Sequence, residues 1–203
     1  FDKLNINELP ELEQYMLHKV YDLQLKFENS FKVYNFHNLY KELLNFCTVD
    51  LSAFYFDIRK DSLYCDSKDS KKRQSTIILL NVILKSLLRW FAPILSFTTE
   101  EVYRLIMNDN KSIHLTKFLE FPKNLKNENL NQKWLELIKI RNVCNISIEE
   151  KRTNKEIGSS LEASLKINLD KKLTDFSQNI DFSELCITSS AEVSYLENSD
   201  IKV

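Results

Sequence analysis

Apolar side chains crowd one stretch of this chain more than any other. Ile77, Ile78, Leu80, Ile83, Leu84, Leu87, Leu88 and Phe91 leave no wide polar face on a helix, and only Asn81, Lys85, Ser86 and Arg89 break the run. A helix apolar around most of its circumference is either a membrane span or the central rod of a bundle. The interruptions leave no stretch of roughly 18 apolar residues, so the pattern predicts a central helix in a soluble bundle. Pro93 ends it, because proline lacks the N–H and restricts the preceding residue. Thr98-x-x-Glu101 predicts a restart, with the hydroxyl and the carboxylate capping each other's amides.

Upstream, Leu12, Tyr15, Met16, Val20, Leu23, Phe27 and Phe31 recur at three- and four-residue steps and predict a helix from Pro10 to Tyr34. Asn35 is placed to cap a second helix, Phe36 to Ile58, whose broad apolar face includes Leu39, Leu43, Phe46, Leu51, Phe54 and Tyr55. Arg59–Ser70 reads as a polar connector, with Ser70 capping the central helix.

Downstream, 108–130 carries Pro122 and several asparagines and reads as surface loop, and Asn131–Lys155 reads as a helix. Gly158 follows, where a left-handed C-cap is expected. The period then changes from helical to alternating. Leu161, Ala163, Leu165, Ile167 and Leu169 predict a strand, Leu173–Phe176 a helical turn, and Leu185–Tyr195 a second strand. The predicted fold class is mainly α: a helical bundle over 1–155, then a small α/β appendage over 156–203. Two strands alone are marginal, so they must lean on a helix.

Composition narrows the chemistry. Of 203 residues, 43% are hydrophobic and 28% charged, which fits a chain with a real core. A net charge of −1 gives no global pull toward polyanions, so any such site is a local patch. A single glycine rules out a glycine-rich phosphate loop and favours helices over tight hairpins. Cys47, Cys65, Cys144 and Cys186 lack zinc-ligand spacing and read as free thiols of a reducing compartment. His18, His37 and His114 are isolated and read as surface or capping residues. No constellation supports catalysis or a cofactor. The start, FDKLNINELPEL, lacks an initiator methionine, a basic n-region and a signal-like core, and reads as an internal or C-terminal part of something longer.

Two groups remain as binding candidates. Arg59 and Lys60 close one predicted helix while Lys71, Lys72 and Arg73 open the next, so antiparallel packing gathers them at one end of the bundle, where cations and exposed amides suit phosphate. Asp57, Asp61, Asp66 and Asp69 dilute this charge, and Lys151, Arg152 and Lys155 form a similarly diluted group. An exposed aromatic beside such a patch stacks on an unpaired base.

Several strings then appear in order: YNFH at Tyr34–His37, LLNFC at Leu43–Cys47, FYFDIRKDSLY at Phe54–Tyr64, RWFAPILSFT at Arg89–Thr98 with EEVY at Glu100–Tyr103, and IGSSLEA at Ile157–Ala163. Together they resemble the region after the catalytic core of bacterial-type isoleucyl-tRNA synthetases, from about Leu12 to Ala191. The resemblance implies the α-helical anticodon-binding domain of a class I synthetase with the start of its C-terminal extension. It implies a cytoplasmic protein, organellar if the source is eukaryotic, with no membrane partner. Its partners would be the anticodon stem-loop of isoleucine tRNA and the catalytic and editing domains of the same polypeptide. ATP and magnesium would serve those domains, and any zinc knob would lie outside this span, which has no paired cysteines. Backbone contacts are then expected from Arg59, Lys60, Lys71, Lys72 and Arg73, and base or loop contacts from Asn35, Phe36 and His37. The alternatives are the valyl counterpart and a helical domain that contacts only protein.

Overall fold

The computed structural model describes residues 6–107, 111–196 and 201–203. Helices dominate: α1 (Glu11–Lys32), α2 (Phe36–Asn45), α3 (Asp57–Cys65), α4 (Lys71–Phe91), α5 (Ser96–Met107), α6 (Glu128–Thr153), α7 (Thr174–Ser177) and α8 (Phe182–Cys186). Strands β1 (Ser164–Asp170) and β2 (Ser190–Leu196) form one two-stranded sheet. The chain divides into two compact units, one ending at Asn127 and one beginning at Glu128. Helix α6 therefore groups with the strands, whereas sequence periodicity alone puts it with the bundle.

In the first unit, a π-helical segment, Phe46–Phe56, joins α2 to α3, so the second predicted helix is a rod from Phe36 to Cys65. Its wider turn lets Phe46 and Leu51, five residues apart, both face inward. The connector begins at Asp66, later than the charge pattern suggests. Ser70 caps α4 as expected, its hydroxyl accepting from the Arg73 amide at 3.4 Å. Asn35 caps α2, accepting from the Asn38 amide at 3.3 Å. Ala92 and Pro93 end α4 as expected, but α5 starts at Ser96, and the Thr99 hydroxyl bonds back to the Leu95 carbonyl at 2.9 Å.

The buried centre is α1 and not α4. Tyr15, Met16, Leu17, His18, Val20 and Phe27 are at most 1% exposed. Helix α4 buries one stripe, Ser75, Thr76, Leu79, Ile83, Ser86 and Trp90, and leaves Ile77 and Ile78 more than 40% exposed. The Thr76 and Ser86 hydroxyls on that stripe are satisfied within α4, donating to the Lys72 and Val82 carbonyls at 2.9 Å and 2.8 Å. Polar residues on α1 hide its centrality from a hydrophobic pattern. Glu13 is fully buried and holds Arg59 at 2.7 Å and 3.0 Å. Gln24 accepts from the Trp90 indole N–H at 2.6 Å. His18 is buried, contrary to the surface role expected of it. Its Nδ1 accepts the Asn127 amide at 3.0 Å, which puts the ring proton on Nε2, 3.4 Å from the Asp22 carboxylate.

In the second unit β1 and β2 run parallel, Ser164 opposite Ser190 through Asp170 opposite Leu196. Parallel strands need a crossover, and α7 and α8 supply it. Leu165, Ile167 and Leu169 form the buried face of β1. Leu185 and Cys186, expected in the second strand, belong to α8.

Left-handed turns do occur in this glycine-poor chain, made by Tyr34 (φ 56°), Lys155 (φ 60°) and Ile187 (φ 58°). Each closes a helix with the same bond pair. After α1, Tyr34 N–H donates to Phe31 and Asn35 N–H to Ser30. After α6, Lys155 donates to Arg152 and Glu156 to Lys151; after α8, Ile187 donates to Glu184 and Thr188 to Ser183. This is the Schellman arrangement, with a side chain where glycine is usual. Gly158 is not left-handed, against expectation. Its amide donates to Glu162 Oε2 at 2.9 Å, and a Cβ there would sit 3.3 Å from Glu162 Oε1.

Candidate nucleic-acid interface

The sequence-predicted basic residues do not all reach the surface. Arg59 lies in the first turn of α3, is 4% exposed, and forms a two-point pair with Glu13, whose Oε1 also accepts the Tyr55 hydroxyl at 3.0 Å. It is a core residue, and its assignment as a backbone contact is corrected on that ground. Arg73 is half-buried, and its Nη1 donates to the Asp66 carbonyl at 2.9 Å, tying the α3–α4 connector. The Ser70 hydroxyl closes the same connector by donating to Asp66 Oδ2 at 2.9 Å. Lys60 is exposed and 3.2 Å from Asp57, Lys71 is exposed and Lys72 half-buried. The cationic surface at this end is thus Lys60, Lys71 and Lys72, with Lys68 beside them. In the second unit Lys151 pairs with Glu156 and Arg152 with Glu149, which neutralises much of the other basic group.

Asn35, Phe36 and His37 stand elsewhere. Helix α1 runs antiparallel to the long rod: Glu13 near its start meets Tyr55 and Arg59, while its end turns directly into α2. Thr76 lies 3.4 Å from Glu13 and Trp90 meets Gln24, so α4 runs parallel to α1. The α3–α4 connector and the α1–α2 turn are therefore at opposite ends of the first unit. From Glu13 to Phe31 alone, α1 rises about 27 Å. The helix predicted from Phe36 to Ile58, with Asn35 before it and Arg59 and Lys60 after it, already implies this separation.

At the α1–α2 turn an aromatic column runs outward. Trp90, 1% exposed, stacks on Phe27 at 6.1 Å, and Phe27 stacks on Phe31 at 5.0 Å. Phe31 meets the Phe36 ring edge-on at 5.3 Å, and Phe36 meets Tyr34 edge-on at 6.1 Å. Phe118 supports the column at 5.1 Å from Phe27. The column ends in solvent, with Phe36 48% and Tyr34 80% exposed. Tyr34 is the residue sequence reasoning missed. Its signal was a tyrosine at the left-handed position of a helix stop, where glycine avoids a strain of about 1–2 kcal/mol. Strain of this kind concentrates at functional sites. The exposed His37 and the Asn35 cap flank it.

The surface offers stacking and cationic contacts. Among the described residues no three His, Cys, Asp or Glu side chains gather to hold a metal, and no helix is long and apolar enough to cross a membrane. A family profile described as the anticodon-binding domain of tRNA ligase matches residues 13–167. The chain belongs to that family. The chain is 65% identical over 199 residues to the isoleucine–tRNA ligase of Pelagibacter ubique, covering 98% of the chain and 22% of that protein. It is 40% identical over 187 residues to the Agrobacterium fabrum isoleucine–tRNA ligase, covering 92% of the chain and 19% of that protein. It is 36% identical over 193 residues to the Bartonella henselae isoleucine–tRNA ligase, covering 95% and 20%. The chain spans about a fifth of the length of these curated relatives. Both candidate surfaces of the domain fall inside the matched span.

Proposed function

We propose that this chain is the anticodon-binding part of an isoleucine–tRNA ligase. It holds the anticodon stem-loop of isoleucine tRNA while catalytic and editing parts of the same polypeptide, using ATP and magnesium, charge the distant acceptor end. The kinship to isoleucine–tRNA ligases over nearly the whole chain favours isoleucine tRNA over the valine counterpart. The observation that carries the mode of binding is Tyr34, presented to solvent in a strained turn on top of a packed aromatic column. A rigid, exposed ring stacks on an unpaired base at little entropic cost. Tyr34 and Phe36 take splayed loop bases, and Asn35 and His37 offer polar groups beside them. Lys60, Lys71 and Lys72, at the other end of the unit, contact phosphates on a separate stretch of the RNA and position it without reading sequence.

Filter binding with the isoleucine-tRNA anticodon stem-loop tests this. The expected result is salt-dependent binding that weakens when the loop bases are exchanged for those of a valine tRNA. A chain that binds neither RNA above background, at low or moderate salt, contradicts the reading and favours a domain that contacts protein only.

A further inference from the structure

The α1–α2 turn carries charge as well as rings. From Ser30 to Lys41 the chain reads SFKVYNFHNLYK, with two lysines and no carboxylate. Lys32 is the last residue of α1 and Lys41 lies in the second turn of α2, and both are exposed. Among the described residues neither has an ion-pair partner. The acids that flank this span in the sequence are engaged: Glu42 pairs with Lys26 at 2.9 Å, and Glu28 accepts from Gln24 at 2.7 Å. The stretch from Lys60 to Arg73, at the opposite end of the unit, instead mixes Asp61, Asp66 and Asp69 among its cations. Helical spacing places the groups on α2. At about 100° per residue, Phe36, Tyr40, Leu44, His37 and Lys41 fan over about 140° of the helix, away from the buried Leu39 and Leu43. Tyr40 is 49% exposed, as open as Phe36 one turn before it. Lys32 precedes Tyr34 by two residues, so their Cα atoms lie within about 8 Å.

We propose that Lys32, Tyr40 and Lys41 complete the α1–α2 turn as a self-contained site for an unpaired RNA loop. The site rests on the RNA-binding reading of the domain and adds three residues to it. Tyr40 supplies a further ring. Four residues advance a helix by about 6 Å, so Tyr40 takes a different base from the one on Tyr34. Lys32 and Lys41 flank the rings from the two helices and take phosphates of that same loop. A loop engaged in pairing keeps its base faces stacked and offers none to the rings, so the site selects unpaired RNA over duplex. The Lys26–Glu42 pair beside it adds no net charge. Lys60, Lys71 and Lys72 stand at the other end of the unit, so selection of the loop does not depend on them.

The 203-residue chain and its variants are titrated at several salt concentrations with the isoleucine-tRNA anticodon stem-loop, either free or with its loop annealed to a complementary oligoribonucleotide. Annealing should weaken wild-type binding at least about tenfold. Lys32→Ala combined with Lys41→Ala should lower the slope of log affinity against log salt by about 1.4, at about 0.7 for each single-strand phosphate contact. The charge-neutral control, Lys26→Gln with Glu42→Gln, should leave that slope unchanged. Tyr40→Ala should weaken binding about 5- to 150-fold, and Tyr40→Phe should bind as wild type does. The Lys60, Lys71 and Lys72 to Ala variant should keep the preference for the free loop. Circular dichroism confirms that each variant is folded; if Tyr40→Ala is not, the double lysine variant decides alone. Wild-type binding with a slope and affinity unchanged in the double lysine variant overturns this site and leaves the RNA-binding reading standing. Equal affinity for free and annealed loops overturns it too, in favour of duplex contact. A wild-type chain that binds neither probe overturns both.

Discussion

Glu13 and Arg59 meet inside the first unit with both side chains almost fully buried, Nε to Oε1 at 2.7 Å and Nη2 to Oε2 at 3.0 Å. A buried pair that loses one partner leaves an uncompensated charge, which destabilises by about 3–5 kcal/mol. Arg59→Ala should therefore lower the urea midpoint strongly, and Glu13→Ala should do the same. Joint replacement, Glu13→Leu with Arg59→Met, should recover most of that loss, because no charge is then stranded. Any loss of RNA binding in Arg59→Ala should track the unfolded fraction. A fully folded Arg59→Ala with a specific RNA defect would contradict the buried role.

Tyr34 separates stability from binding. Its left-handed backbone at the end of α1 suits glycine, so Tyr34→Gly should stabilise the first unit by about 1 kcal/mol. The same change removes the exposed ring and should weaken anticodon stem-loop binding by about 1–3 kcal/mol, the usual worth of one base stacked on an aromatic. Tyr34→Phe should bind nearly normally. Urea unfolding and filter binding on the same preparations check the opposite signs. A variant that moves both quantities down together would reduce Tyr34 to a structural residue.

Gln24 anchors the inner end of the aromatic column. Its Oε1 accepts the Trp90 indole N–H at 2.6 Å and its Nε2 donates to Glu28 at 2.7 Å. Gln24→Leu keeps bulk but strands a buried donor, at about 1–3 kcal/mol. The urea midpoint should fall accordingly. RNA affinity of the folded protein should fall less than in Tyr34→Gly, since the ring at the surface is still present.

Much of the helical architecture was legible because it follows from local rules: Asn35 and Ser70 cap where their side chains predict, and Pro93 ends α4. The centre was misplaced because hydrophobic pattern counts apolar residues, and α1 buries Glu13, His18 and Gln24 through partners 46, 109 and 66 positions away. No local window contains Arg59, Asn127 or Trp90. The same blindness put Arg59 on the surface, because a basic residue looks exposed until its carboxylate is found. The left-handed turns were missed for the opposite reason. Glycine is their usual marker in a sequence, and the three Schellman closures use Tyr34, Lys155 and Ile187 instead. The aromatic residues of the candidate site were visible as types, but their order into a column depends on α4 and Phe118 packing onto α1.

The lysines at the α3–α4 end should act through charge alone. Replacing Lys60, Lys71 and Lys72 by Ala removes up to three phosphate contacts, and each contact contributes about 0.7–0.9 to the slope of log affinity against log salt. The triple variant should lower that slope by about 2 and weaken cognate and non-cognate RNA alike. Stability should change by less than about 0.5 kcal/mol per site, since Lys60 and Lys71 are exposed and only Lys72 is half-buried. Unchanged salt dependence across two ionic strengths would remove this end of the unit from the interface.

Glu100 gives the first unit a local acid sensitivity. Partial burial of its carboxyl works against ionisation, but the Ile113 amide and the Ser112 hydroxyl, both at 2.9 Å, and Arg104 at 2.7 Å hold the charged form. The balance leaves its pKa below the usual carboxylate value. A depressed folded-state pKa stabilises above the unfolded-state value of about 4.3 and loses that contribution as pH falls through the lower folded value. Below it, protonated Glu100 releases Ile113, which packs with Leu88, Ala92 and Tyr103. Amide exchange at Ile113 should therefore accelerate in acid more than exchange in the middle of α1, after correction for intrinsic rates. Glu100→Gln should show the faster exchange at neutral pH and little further change in acid. Identical acid responses of Ile113 exchange in wild type and Glu100→Gln would mean that another group sets the sensitivity.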